Sequence, residues 1–301
     1  MEKDVSKLSE LIDFIKEIGD TTDNLLVYRG EKKDYEETAL VPFVYRKNYI
    51  SKEDIIYRES QRFNDDSFHQ DKTTFDRLSR IQHYSAPTRL IDVSEDLLSA
   101  VYFAIAEKKE LETDALIYIF EIKKNEIKYY DSDSVSVISN LSKIPLNGSG
   151  LKSKEKLAKS ASSNKTDTDK FNNEKCVQYL LHEIRSEKPQ FLPLIDPEDI
   201  TSVKFVLPKF TSSRIKSQKG AFLLFGLNPD NHAKPIKIIK SNKLIESDNR
   251  ISHPIVEIHI AKLKAHSIKD MQTELKNLGI KKSYIYPEID KVSEQLNEDY
   301  Q

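Results

Sequence analysis

The spacing of apolar side chains predicts a helix followed by a strand at the start of the chain. Apolar residues recur every three or four positions over 6–18, which predicts an amphipathic helix that ends before Gly19. The next apolar run, residues 25–28, is too short for a helix and predicts a strand. Arg29 and Gly30 therefore lie at a strand end, where functional groups often emerge.

The same pattern continues to about residue 105. Residues 52–64 and 73–84 have helical periodicity, and an extended segment, Thr88–Asp92, is predicted after Pro87. Ser94 is predicted to be the N-cap of the next helix, since two acidic residues follow it where the helix dipole favours negative charge. Apolar residues between 97 and 105 form the buried face of that helix.

The later part of the chain reads mostly as strands, with one polar interruption. Residues 147–175 are rich in Lys, Ser, Asn, Thr and Asp, and this composition predicts a mobile loop or insertion. Ser267 and Asp270 resemble a capping box. The further predicted strands are 115–122, 203–207, 221–225, 236–239 and 255–260, and the further predicted helices are 174–185, 211–218, 267–278 and one that starts at Pro287.

The order of these elements indicates the fold class. Helices come first and strands dominate later, which favours an α+β fold with a helical N-terminal part over a repeated βαβ fold. The 301 residues show no clean division into two halves and no internal repeat, so we expect one core with additions.

Composition and charge exclude several classes of function. The net charge of −2, from interspersed acidic and basic residues, gives no broad basic field for nonspecific DNA binding. The single cysteine, Cys176, excludes an intramolecular disulfide and a cysteine-based zinc site, and it suits a reducing compartment. No apolar run approaches the roughly 20 residues of a membrane span. We therefore expect a cytoplasmic protein without membrane contact.

An arginine at the end of an apolar strand is costly unless its guanidinium meets an anion or a carbonyl group. Arg29 is therefore a candidate anion anchor, and Gly30 would let a backbone or a ligand come close. The structural alternative is that Arg29 pairs with Glu31 or Glu59.

A second polar cluster is more specific, because it lies between two apolar helical stretches. His83 has no second histidine at helical spacing and no metalloprotease glutamate, so we expect hydrogen bonding and no metal. Arg89 and Asp92 either form a buried pair or bind a ligand. Glycine-rich phosphate loops are absent from the sequence, so arginines or a helix N-terminus would have to hold any phosphate. The cluster comprises Gln82, His83, Tyr84, Thr88, Arg89 and Asp92.

These motifs together resemble the FRG domain family, which is named for a Phe-Arg-Gly triplet whose first position here is Tyr28. The resemblance divides the chain into an N-terminal helix (1–24), an FRG domain (25–122) and a C-terminal part (123–301) that completes the core. The residues that carry it are Val27-Tyr28-Arg29-Gly30, Pro42, Glu59, Phe63, Gln82-His83-Tyr84-x-x-Pro87-Thr88-Arg89-Leu90-Ile91-Asp92 and Ala100-x-Tyr102-Phe103-Ala104, with closing segments Arg214-x-x-x-Gln218-x-Gly220-Ala221-Phe222 and Ser283-x-x-x-Pro287-Glu288-x-Asp290.

The arrangement is also similar, more weakly, to the ADP-ribosyltransferase superfamily. That resemblance implies a helical part packed on a mixed or antiparallel split sheet, with NAD as substrate. It implies that Arg29 grips a phosphate or ribose of NAD and that Thr88 and Asp92 line the pocket. Gln218 falls near the position of the late acidic motif. The implied cofactor-binding set is Tyr28, Arg29, Gly30, Thr88, Arg89 and Gln218.

The sequence departs from that superfamily at the late acid. Gln218 cannot act as a carboxylate, and the segment 218–226 contains neither Glu nor Asp. Cleavage of the nicotinamide–ribose bond requires an acid facing the developing oxocarbenium charge. Asp92 and Glu59 are the preferred acids because they lie inside the family motif, and His83 joins them as a catalytic candidate. The remaining candidate acids are Glu31 and Glu257.

Three hypotheses follow. The leading one is an NAD-dependent ADP-ribosyltransferase-like effector of a bacterial conflict system, such as phage defence or a toxin, acting on a protein or nucleic acid and accompanied by an antitoxin or regulatory partner. The alternative is a noncatalytic nucleotide- or nucleic-acid-binding module that uses Arg29, His83 and Arg89. The third is an interaction protein whose polar motif locks the fold.

Overall fold

The computed structural model describes residues 1–19, 22–106, 108, 112–148, 151–238 and 253–300, and its centre is one mixed β-sheet. Within these residues the strand order is β1-β8-β4-β2-β3-β7-β6-β5, with β1/β8 and β5/β6 parallel and the other pairs antiparallel. The strands are β1 (Glu2–Val5), β2 (Asn24–Glu31), β3 (Leu90–Ser94), β4 (Ala115–Lys123), β5 (Lys128–Tyr129), β6 (Val203–Leu207), β7 (Gly220–Phe225) and β8 (Ile255–Leu263).

Helices lie between and after the strands. The α-helices are α1 (Leu8–Ile18), α2 (Glu53–Arg62), α3 (Asp65–Phe68), α4 (Thr74–His83), α5 (Leu97–Ile105), α6 (Asp133–Asn140), α7 (Lys154–Ser163), α8 (Thr168–Asn173), α9 (Lys175–Arg185), α10 (Pro197–Ile200), α11 (Ser213–Ser217), α12 (Ile268–Asn277), α13 (Lys282–Ile285) and α14 (Ile289–Asp299). Short 3-10 segments are Glu36–Thr38, Phe43–Lys52, Lys124–Glu126, Leu141–Lys143 and Ala265–Ser267. The mixed α and β content agrees with the predicted class.

The sheet is weakly joined in its middle. β2 pairs with β4 along its whole length, and β3 pairs with β7 along its whole length. Between β2 and β3, however, the register contains one pair, Tyr28 opposite Ser94. The two strands therefore separate on either side of that pair, and the sheet has an opening between its halves.

Helices cover one face of each half. α1, α5 and α12 pack on the half that contains β2 and β4, while α4, α6 and α9 pack on the half that contains β3 and β7. The opposite face is apolar as well, and loop residues such as Leu40 and Ile236 cover it. Apolar side chains are therefore buried on both faces of the sheet.

Several predicted elements are confirmed, and others are wrong. β1 was missed, and helices α6 to α10 lie between β5 and β6, so helices are not confined to the N-terminal part. The segment 147–175 contains α7 and α8 where a mobile loop was expected. Leu157 and Phe171 of this segment are buried, and their packing outweighs the polar average composition of the segment.

Two predicted helix caps are also wrong. Asp96 is the N-cap of α5 and accepts from the backbone N–H groups of Leu98 and Ser99, whereas Ser94 ends β3. Ser267 precedes α12 without a side-chain capping bond, so the predicted capping box does not form. The strand predicted at 236–239 is absent at residues 236–238, and residue 239 lies outside the described residues.

No helix in the described parts of the chain has both the length and the apolar character that crossing a bilayer requires.

Candidate functional site

A cavity of about 390 Å³ lies where β2 and β3 separate. Strand side chains alternate between faces, so Arg29 shares the face of Val27 and Asp92 shares the helix-covered face of Leu90. The opening in the sheet allows both residues to line one cavity. This volume lies in the range of small-molecule sites.

Arg29 bridges the opening. Its Nη1 donates to the backbone oxygen of Asp92 at 2.8 Å, and its Nε donates to Glu31 Oε1 at 3.1 Å. These bonds use two of the five N–H donors of a guanidinium, and the side chain remains 22% exposed. The pairing with Glu31 that was considered for Arg29 is confirmed. That pairing also holds Arg29 in a fixed orientation at the cavity wall.

Gly30 allows a close helix–strand approach. A Cβ at this position would lie 1.9 Å from the backbone oxygen of Ala100 in α5, a distance at which real atoms clash. Because Gly30 has no side chain, α5 can pack directly against β2. Tyr28, next to Gly30, is buried. Burial, followed by the charge of Asp96, raises the pKa of Tyr28. Tyr28 and Gly30 both line the cavity.

The described cavity wall contains three arginines and one carboxylate. Arg29, Arg46 and Arg214 supply the positive charge, and Asp92 supplies the carboxylate. Burial and then the neighbouring Arg29 lower the pKa of Arg46, which indicates that the two guanidinium groups repel each other. Like charges held together in a concave site favour an anionic ligand.

A chain of hydrogen bonds orients Asp92. Thr88 Oγ1 donates to Gln82 Oε1 at 2.6 Å, and Gln82 Nε2 donates to Asp92 Oδ2 at 2.7 Å. The Leu90 backbone N–H in turn donates to Thr88 Oγ1. Thr88 is fully buried and does not line the cavity, so it supports Gln82 and Asp92 from behind.

His83 and Gln218 contact residues 285–288, near the end of the chain. Gln218 Nε2 donates to the backbone oxygen of Ile285 at 2.9 Å, and His83 Nε2 lies 3.6 Å from Glu288 Oε1. Burial and then the charge of Arg214 lower the pKa of His83, while Glu288 opposes the shift. The lowered pKa favours the neutral imidazole of His83, which can accept a proton.

Arg89 does not reach the cavity. It is fully buried, donates to Glu53 through Nε at 2.8 Å, and donates to the Phe225 backbone oxygen at 2.7 Å. Lys154 Nζ lies 2.8 Å from the same Glu53. Arg89 and Asp92 therefore do not form the buried pair that was one of the two alternatives. Arg89 pairs with Glu53 of α2, and Asp92 accepts a hydrogen bond from Gln82.

The other candidate acids also lie elsewhere. Glu59 is exposed on α2, where it pairs with Arg62 at 3.1 Å, and Glu31 is buried beside Arg29. Neither lines the cavity. Among the nine predicted site residues the structure therefore brings six together, namely Tyr28, Arg29, Gly30, His83, Asp92 and Gln218, and places Glu59, Thr88 and Arg89 outside.

Glu257 belongs to a different cluster, on strands β4 and β8. Its carboxylate, that of Glu121 and the imidazole of His259 come within 4.8 Å of one another, and these are groups that can ligate a metal. The backbone nitrogen of Met1 lies 2.9 Å from His259 Nδ1 and 3.5 Å from Glu257 Oε1.

Residues 24–113 match the FRG domain. This match agrees with the resemblance carried by the two motifs. The matched segment contains β2, β3, α4 and α5. It also contains the cavity residues Arg29, Arg46, His83 and Asp92. No curated protein matches the chain, and no solved structure does so.

The cavity also needs residues beyond the FRG domain. Arg214 and Gln218 follow it in sequence by about a hundred residues. Arg46 lies within it but was missed, because an arginine in an irregular segment between Pro42 and α2 carries no periodic signal. Gln82 was noted as polar, but its role in orienting Asp92 required the three-dimensional contact.

Proposed function

We propose that this cavity binds NAD and catalyses ADP-ribosyl transfer. The observation that supports the proposal is the convergence of Arg29, His83, Asp92 and Gln218 on one concave site at the opening between β2 and β3. Dispersal of these four side chains would have removed the basis for any ligand at the motif.

The roles follow from charge. Arg29 and Arg46 would hold the pyrophosphate, since paired guanidinium groups bind phosphate oxygens through several N–H donors. Asp92 would face the ribose, where its carboxylate stabilises the positive charge that develops as the nicotinamide leaves. Gln82 holds one oxygen of Asp92 in place, which limits reorganisation during the reaction.

The test is turnover of NAD by the purified chain with candidate protein and nucleic-acid acceptors. We expect nicotinamide release in the wild type, and a loss of at least about 100-fold in Asp92→Asn with NAD binding retained. The asparagine can still accept from Gln82, so the fold is preserved. Glu95→Gln is the matched control, because this nearby acid does not line the cavity.

A noncatalytic nucleotide-binding module is the second candidate, and the composition of the cavity wall favours it. Three arginines face one carboxylate, whose Oδ2 is already engaged by Gln82. This arrangement suits anion binding without bond cleavage. In this case NAD or a nucleoside diphosphate would bind to both the wild type and Asp92→Asn, and neither protein would release nicotinamide.

The biological setting is also part of the proposal. An ADP-ribosyltransferase-like effector in phage defence or a toxin system would modify a macromolecule and would need restraint by an antitoxin or regulatory partner. Mass spectrometry of acceptors after incubation with NAD would identify the target through an added ADP-ribose. Failure of every tested protein and nucleic acid to gain that group would argue against the transferase.

A further inference from the structure

The C-terminal segment, defined here as residues 282–299, places a carboxylate beside the cavity. Tyr286 of this segment packs edge-on against Phe103 with 6.3 Å between ring centroids, and Arg214 lies 4.7 Å from the centre of the Tyr286 ring. Gln218 and Ser217 both donate to the backbone oxygen of Ile285. Three residues of the cavity wall therefore hold the segment in position, namely Phe103, Arg214 and Gln218.

This docking brings Glu288 to His83. His83 Nε2 lies 3.6 Å from Glu288 Oε1, while His83 lines the cavity. Both His83 Nε2 and Glu288 Oε2 are buried atoms without a hydrogen-bond partner among the described residues. Buried polar atoms in this state are rare, and those at a cavity wall often serve function.

We propose that Glu288 is a positioning residue that orients His83 as the proton acceptor of the cavity. The carboxylate would fix the imidazole proton on Nε2, which leaves the lone pair of Nδ1 for the substrate. The inference rests on the proposed function for its reaction.

The proton and the electrons balance in the transfer step. The acceptor's O–H or N–H gives its proton to His83 Nδ1, and the acceptor's lone pair forms the bond to C1′ of the ribose. The bond between C1′ and the nicotinamide nitrogen breaks, and its electron pair leaves with neutral nicotinamide. The resulting imidazolium is stabilised by Glu288 and then releases its proton to water.

The surroundings of His83 determine the pH dependence. Arg214 of α11 and Arg80 of α4 lower the pKa of the imidazole together with burial, and Glu288 raises it. A base must be unprotonated, so activity rises with pH through the pKa of His83. Removing the charge of Glu288 lowers that pKa further and moves the rise in activity to lower pH.

The first experiment is independent of turnover. NMR titration of the histidine side chains, with His83 assigned through His83→Asn, should give a lower pKa for His83 in Glu288→Gln than in the wild type. Asp290→Asn is the matched control, because it removes an exposed carboxylate of the same segment and should leave that pKa unchanged. An unaltered His83 titration in Glu288→Gln would overturn the pair.

The second experiment uses NAD turnover. Glu288→Gln should lower kcat by at least about 10-fold with little change in KM, and Glu288→Asp should recover part of it. If the kcat of Glu288→Gln equals that of the wild type, the positioning role of Glu288 is overturned. Absence of turnover in the wild type would instead reject the proposed function, while the titration still decides whether the two residues are paired.

Discussion

Two arginines of the segment that matches the FRG domain have opposite surroundings. Arg89 is 0% exposed and meets Glu53, the Phe225 carbonyl oxygen and, through Glu53, Lys154. Arg29 is 22% exposed, spans the opening between two strands and retains donors for a ligand. Sequence alone ranks these residues equally. Burial and hydrogen-bond satisfaction separate an arginine that fixes the fold from one that can bind a ligand.

The comparison also explains how the two regions depend on each other. Arg89 immediately precedes β3, and its buried ion pair with Glu53 anchors the strand that carries Asp92. Burial opposes ionisation of Glu53, but the charges of Arg89 and Lys154 outweigh it and lower the pKa of this carboxyl. Glu53 and Arg89 therefore form a buried ion pair, and the position of the cavity wall depends on it.

The largest effect should follow from Glu53→Gln. This change leaves Arg89 as a buried charge without a carboxylate, which should lower the free energy of unfolding by about 3–5 kcal/mol. Urea denaturation followed by circular dichroism measures the loss. A loss below about 1 kcal/mol would mean that the buried ion pair does not hold the fold.

Arg29→Gln should affect ligand binding more than stability. Loss of charge-assisted hydrogen bonds to phosphate, about 1.5–3 kcal/mol, corresponds to roughly a 10- to 150-fold weaker Kd for NAD in isothermal titration calorimetry. Because glutamine can still donate to Glu31, the fold should persist. Unchanged affinity together with a large fall in melting temperature would assign Arg29 to the fold, as Arg89 is.

Glu59→Gln should have the smallest effect. Glu59 is 42% exposed and pairs with the still more exposed Arg62, and surface pairs of this kind contribute about 0–1 kcal/mol. Urea denaturation and NAD turnover should both remain near wild-type values. A large loss of turnover would restore Glu59 as a candidate acid and would contradict the assignment of the cavity.

Local sequence signals predicted much of the fold. The periodic segments of α1, α2, α4 and α5 and the strand β6 were found, because each carries an apolar stripe that matches its own geometry. α7 was missed because its neighbours are polar and one of its buried side chains is Lys154, which composition counts as a surface residue. The partner of this buried lysine, Glu53, lies far away in the sequence, so local composition does not reveal it.

The candidate site was predicted in part for the same reason. His83 and Asp92 were found because polar residues between apolar helices are unusual, whereas Arg46 and Glu288 depend on contacts between remote segments. Glu59 and Glu53 lie on one helix and have similar sequence neighbours. Their different roles arise from the face of α2 that packs inward, which brings Glu53 to Arg89.

The strand pairing has a consequence for biosynthesis. β2 and β3 lie in the segment that matches the FRG domain, but their hydrogen-bonded partners β4 and β7 begin at Ala115 and Gly220, after the matched segment ends. During translation the edges of β2 and β3 that pair with β4 and β7 stay unpaired until those later strands leave the ribosome. Unpaired strand edges favour aggregation. The cavity is therefore completed late, and a fragment limited to residues 24–113 would expose the two strands that carry Arg29 and Asp92.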